Sequence, residues 1–143
     1  MSGKPKNGQI ILVEDDLDDQ ELTNEVIASI GRTNEVITFN SCEDAFEYLM
    51  GNLHVQPFII LSDINLPHTS GIEFKQRIDN TPVLRQKSIP FVFYSTSAEK
   101  VSVDKAYQYS VQGFFVKGNS MKEMAAMLKL ILDYWTYCKH PNS

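Results

Sequence analysis

The chain is short of several things that announce particular functions. It has two cysteines, Cys42 and Cys138, with no CxxC spacing and no paired histidine. Both read as ordinary reduced thiols, which argues against a disulfide framework or a zinc site. Basic residues are in the minority: 13 Lys and Arg against 18 Asp and Glu leave a net charge of −5. The clustered cations that neutralise phosphates on a nucleic-acid surface are therefore missing. No apolar run approaches the ~20 residues of a membrane helix. The polar start "MSGKPKNGQ" also lacks the core of a signal peptide, so the cytoplasm is the expected location. Seven glycines and six prolines in 143 residues leave no linker and no low-complexity tract. One domain over residues 1–143 is expected, with polar tails at 1–8 and 139–143 and no effector domain.

What the chain does have is a regular alternation. "QIILV" (9–13) is a continuous apolar run, as a strand buried on both faces requires; "FIILS" (58–62), "FVFYS" (91–95) and "VQGFFV" (111–116) read as further strands, and "EVITF" (35–39) alternates. Leu22, Val26, Ile27 and Ile30 recur at helical spacing before Gly31. Ser41 with Asp44, Ser70 with Glu73 and Ser120 with Glu123 resemble helix starts. The last of these opens a helix striped by Met124, Leu128, Ile131 and Trp135. Residues 98–110 show mixed helical periodicity with Val103, Ala106 and Tyr107 on one face, while "NTPVLRQKSIP" reads as a polar connection. Five strands alternating with five helices predict an α/β fold, a parallel sheet with helices on both faces.

Such sheets bind ligands beyond the carboxyl ends of their strands. The residues just past strands one, three, four and five are Glu14-Asp15-Asp16, Asp63, Thr96 and Lys117. Carboxylates, a hydroxyl and an ammonium thus converge on one edge, and oxygen ligands without His or Cys suit a hard cation such as Mg²⁺. Each residue also has a plainer reading. Asp63 could cap a turn, Glu14 and Asp15 could be a solvated helix start, Thr96 could be a β-branched strand residue, and Lys117 could snorkel to the surface. Asp16, Asp18 and Asp19 read as first-turn residues favoured by the helix dipole and facing solvent.

Taken together, "ILVEDD", "FIILSDINLP", "FVFYSTSAE" and "GFFVK" resemble the receiver domain of two-component response regulators. The resemblance covers essentially the whole chain. It implies a flavodoxin-like, doubly wound three-layer sandwich with strand order 2-1-3-4-5. It implies a phospho-accepting signalling domain rather than an enzyme, one that catalyses only its own phosphorylation and dephosphorylation. Asp63 would take the phosphoryl group from a histidine kinase. Mg²⁺ or Mn²⁺ would be held by Asp15, Asp63 and the backbone carbonyl of Asn65, with Glu14 acting through a bound water. Lys117 would pair with Asp63 and then with the phosphoryl oxygens. Thr96 would swing inward, and Phe114 would occupy the space it leaves.

The chain departs from the family pattern at Lys117-Gly118, where Lys-Pro is usual. A cis bond there costs about 2.5–4 kcal/mol without proline, so a trans bond or a loop strained by its surroundings is expected. Ala98, two beyond Thr96, cannot orient an attacking water, which implies slow to moderate loss of phosphate. His54, His68 and His140 sit in or near loops and read as surface residues. Output would pass to another protein, either a downstream target or, in the alternative relay reading, a histidine-phosphotransfer protein. The ending "LDYWTYCKHP", with "VEDDLDDQEL" and "YSTS", is similar to single-domain receivers that partner phytochrome-type kinases. That group implies a homodimer through the fourth helix (98–110), the fifth strand and the fifth helix. Trp135 either packs on the sheet or joins such an interface. Neither nucleic acid nor membrane is an expected partner. A haloacid-type phosphatase needs a second acid where Asn65 stands, and a flavin-binding relative needs a phosphate loop where Glu14 and Asp15 stand.

Overall fold

The computed structural model describes residues 8–96, 104–105, 107–108 and 111–138. Five strands, β1 (Ile10–Val13), β2 (Val36–Phe39), β3 (Ile59–Ser62), β4 (Phe91–Ser95) and β5 (Gly113–Val116), form one parallel sheet in the order β2-β1-β3-β4-β5. The expected order is therefore observed. Central strands β1 and β3 are buried throughout, whereas edge strand β2 is half-buried at every position. This explains the continuous apolar runs of the former and the alternation of the latter.

The helices are α1 (Leu17–Ser29), α2 (Cys42–Gly51), α3 (Gly71–Asp79), a short α4 (Pro82–Arg85) and α5 (Met121–Tyr137). The sequence predicts only a polar connection where α4 lies. Pro82 pre-sets its first turn, and Leu84 buries its side chain. Asp104, Lys105, Tyr107 and Gln108 are helical; the other expected apolar positions of that segment, Val103 and Ala106, lie outside the described residues.

Period-two alternation divides the core between the sheet faces. Ile11, Val13, Ile60, Phe91 and Phe93 meet Ala45 and Leu49 of α2 and Phe74 and Ile78 of α3. Ile10, Leu12, Ile59, Leu61, Val92 and Tyr94 meet Val26 and Ile27 of α1 and Leu128, Ile131 and Leu132 of α5. Phe114 packs on the first face and Phe115 on the second, so adjacent residues serve opposite layers. Trp135 is half-buried against the second cluster, which favours the sheet-packing reading over a fully exposed anchor.

The helix starts follow their capping chemistry. Ser41, Ser70 and Ser120 each accept a hydrogen bond from the backbone N–H three residues on, and α3 has the full reciprocal box with Glu73. At α5 the reciprocal bond differs, because Glu123 accepts from the N–H of Asn119. Gly31 adopts φ 83° just past α1, a conformation that favours glycine. Among the described residues no peptide bond is cis, so Lys117-Gly118 is trans. A side chain at Gly118 would lie 2.5 Å from Glu123 Cβ, so this glycine lets the loop close onto α5.

Candidate functional site

Three of the expected residues are pinned by the ladder one step beyond their strands. The N–H of Glu14 donates to Phe39 O at 3.0 Å, that of Asp63 to Val13 O at 3.0 Å, and that of Lys117 to Ser95 O at 2.8 Å. Each side chain therefore starts from a backbone that the sheet holds rigid, at its carboxyl edge.

Asp63 is 8% exposed. Its Oδ1 accepts from Ile64 N at 2.7 Å, Asn65 N at 3.3 Å and Ser95 Oγ at 2.7 Å. Among the described residues, all donors to Asp63 fall on this one oxygen. Gly71 makes the close packing behind it possible. A Cβ there would stand 2.3 Å from Asp63 O and 2.7 Å from the Phe93 ring, and the Gly71 N–H donates to Ile64 O at 2.9 Å.

The hydroxyl at Asp63 belongs to Ser95, not to Thr96. The register pairs Ser62 with Phe93 and Ser95 with Val116, so β4 runs past the level of Asp63 while still in the sheet. Ser95 is completely buried and shares the strand face of Phe93, whereas Thr96 is exposed. Phe114 packs against Phe93 with ring centroids 5.8 Å apart, on the face that carries Ser95. With the hydroxyl at Ser95, the position two beyond becomes Ser97; both it and Ala98 lie outside the described residues.

Lys117 also differs from expectation. Its ammonium is paired with Glu14 Oε1 and lies 3.4 Å from Asp19 Oδ2, rather than pairing with Asp63. Strand alternation puts Glu14, Asp63 and Lys117 all on the face of Tyr94, and within that face Glu14 and Asp19 take the ammonium, which lies 5.6 Å over the Tyr94 ring. Asp19 is thereby drawn out of the solvent-facing set to which Asp16 and Asp18 belong. Asp16 is instead the N-cap of α1, accepting from Asp19 N at 3.0 Å. Burial lowers the pKa of the Lys117 ammonium, but Glu14, Asp19 and Asp63 outweigh it, and the group stays above its ordinary value. Burial raises the Glu14 carboxyl, an effect that Lys117 offsets only in part.

Glu14, Asp15 and Asp63 each offer a carboxylate oxygen, all within 4.8 Å of one another. Two of these acids are buried and Asp15 is exposed. Three oxygens converging at an opening, with neither nitrogen nor sulfur among them, fit a hard divalent cation. Asn65 is exposed beside them, while His54 and His68 are exposed elsewhere and His140 lies outside the described residues. Ser95, Asp19 and Gly71 are the residues a sequence reading misses. A glycine at the first position of a helix was the available signal for Gly71.

The chain is similar in sequence and in fold to known proteins. A model of the response regulator receiver domain matches residues 10–129. The response regulator Rcp1 of Synechocystis sp. is 30% identical over 130 residues, covering 88% of this chain and 87% of that protein. The structure of the phosphorylated cyanobacterial phytochrome response regulator RcpA superposes with a TM-score of 0.83 at 29% identity, covering 95% of this chain and 99% of that one. The Mn(2+)-bound form of Rcp1 gives 0.79 at 27% identity, with the same coverage. With its strand order, its three edge carboxylates and a buried lysine at the end of β5, the chain belongs to the response regulator receiver family. Its members are signalling domains that bind a divalent metal and accept phosphoryl groups from histidine kinases.

Proposed function

We propose that Asp63 is the phosphoacceptor of this receiver and that its phosphorylation switches protein contacts. The observation that carries the reading is the setting of its carboxylate. Three donors hold Oδ1, while Glu14 and Asp15 bring two more carboxylates to the same opening. A carboxylate oxygen of Asp63 attacks the phosphorus of a kinase phosphohistidine. The new P–O bond forms as the P–N bond breaks, and the electron pair leaves with the imidazole nitrogen, giving an acyl phosphate.

Glu14, Asp15 and Asp63, with the Asn65 carbonyl, are the proposed holders of Mg²⁺ or Mn²⁺. When bound, the cation neutralises charge on the transferring group. Fixed backbone donors orient Asp63, and burial of Glu14 and Lys117 removes competing water. Ser95 takes the hydroxyl role expected of Thr96. It donates to Asp63 in the resting form and to the phosphoryl group afterwards, while Phe114 repacks against Phe93. Lys117 serves the phosphoryl oxygens after leaving Glu14. The domain thus catalyses its own phosphorylation, and its own hydrolysis restores the resting state.

The likeness to Rcp1 and RcpA supports a phytochrome-type kinase as the donor, in the cytoplasm. An exposed apolar strip on α5, with Leu130 63%, Tyr134 60% and Tyr137 87% exposed, supports output through a homodimer or a protein target on the β5–α5 side. The test is uptake of phosphate from acetyl phosphate with Mg²⁺. Wild type is expected to gain one phosphate and Asp63→Asn none; equal labelling of both would refute the assignment.

A further inference from the structure

Lys117 is anchored away from the residue it is expected to serve. Its side chain is only 6% exposed, and a buried ammonium requires nearby negative charge. Two acids supply it, Glu14 at the strand end and Asp19 in the first turn of α1, with the Tyr94 ring beneath. The two acids are not equivalent. Glu14 belongs to the group of carboxylates that fits a cation, and Asp19 does not. A cation bound there would compete with Lys117 for Glu14 but not for Asp19. Asp19 also acts on both of its neighbours, raising the pKa of the Lys117 ammonium and of the Tyr94 hydroxyl.

We propose that Asp19 is a positioning residue for Lys117, holding its ammonium in a resting seat over Tyr94 that must be vacated when a phosphoryl group is bound at Asp63. The inference rests on the reading of Asp63 as phosphoacceptor. A contact made only in the resting form opposes the phosphorylated form by its own strength. Partly exposed ion pairs of this kind change an equilibrium by about two- to fivefold. Removing the Asp19 charge should therefore favour the phosphoryl-bound state by that factor.

The experiment compares Asp19→Asn with Asp18→Asn, which removes the same charge from the same helix turn at an exposed position without a Lys117 contact. The first readout is the ¹⁵N resonance of the Lys117 ammonium in the metal-free protein. The second is the concentration of beryllofluoride, a phosphoryl mimic, that half-saturates the protein in Mg²⁺. Asp19→Asn should move the resonance and lower half-saturation about two- to fivefold relative to Asp18→Asn. Asp19→Glu should restore wild-type behaviour. Asp19→Asn matching Asp18→Asn in either readout overturns the inference. Failure of the underlying reading looks different: wild type and Asp63→Asn would then respond alike to beryllofluoride. The metal-free resonance would still decide whether the seat exists.

Discussion

At the scale of single residues, Ser95 and Thr96 show how far chemistry depends on a shift of one position. Both carry a hydroxyl, but only Ser95 is buried with its Oγ 2.7 Å from Asp63 Oδ1. Under the proposed mechanism, Ser95→Ala loses a bond to Asp63 in one form and a stronger one to the phosphoryl group in the other. It should therefore lower the phosphorylated fraction by only the difference, about two- to fivefold. Thr96→Ala should change it little, and radiolabel uptake from acetyl phosphate distinguishes the two. Cys42 offers a second residue-level check. Burial, helped by Glu43 and Glu73, pushes its thiol up to about 12, and its Sγ lies 3.7 Å from Ser70 O. The thiolate is the reactive form. Iodoacetamide at pH 8 should therefore modify Cys138 in the folded protein and reach Cys42 only after unfolding, as peptide mass spectrometry would show.

At the scale of elements, the strand ends and the helix starts behave differently. Helix starts were legible because their signals are local: Ser70 and Glu73 are three residues apart and complete their box within one turn. The ends of β4 and β5 were not, because their meaning lies in register. Glu14 stands level with Asp63, whereas β4 continues to Ser95 and brings its hydroxyl across to Oδ1. Gly71 joins the two kinds of element, since α3 begins against the backbone of Asp63. Gly71→Ala should destabilise the fold by about 1–3 kcal/mol, the cost of overpacking. Because Asp63 itself must shift, the variant should also take up phosphate more slowly at a temperature where it remains folded. Urea melts and labelling kinetics measure the two effects separately.

At the scale of the whole molecule, two behaviours follow from how the layers meet. The Tyr94 hydroxyl is buried on the α1–α5 side without a hydrogen-bond partner among the described residues, and burial with the Asp19 charge raises it to about 12. Cys42 is raised likewise on the opposite side. Both groups ionise earlier in the unfolded chain than in the folded one. Their contribution is complete below the unfolded values of 9.0 for the thiol and 10.0 for the phenol, and is lost as pH rises towards 12. The melting temperature should therefore fall steadily over that alkaline range. The proposed dimer is the second behaviour. Leu130 is exposed between Met127 and Tyr134 along α5. Leu130→Arg should leave phosphate uptake intact and convert dimer to monomer in sedimentation. Among the described residues, no helix is long and apolar enough to cross a membrane.

By itself, the sequence determined the alternation of strands and helices, the parallel sheet and the gathering of Glu14, Asp15, Asp63 and Lys117 at its carboxyl edge. These rest on periodicity and on the ends of apolar runs, which are properties of contiguous residues. Only the tertiary structure decided that Ser95 faces Asp63, that Lys117 rests with Glu14 and Asp19, and that Gly71 backs the site. Those relations depend on the stagger of one strand against the next and on which face each strand end presents. Stagger and face are set by the packing of both core layers, across sequence separations of 32 residues for Ser95 with Asp63 and 103 for Lys117 with Glu14.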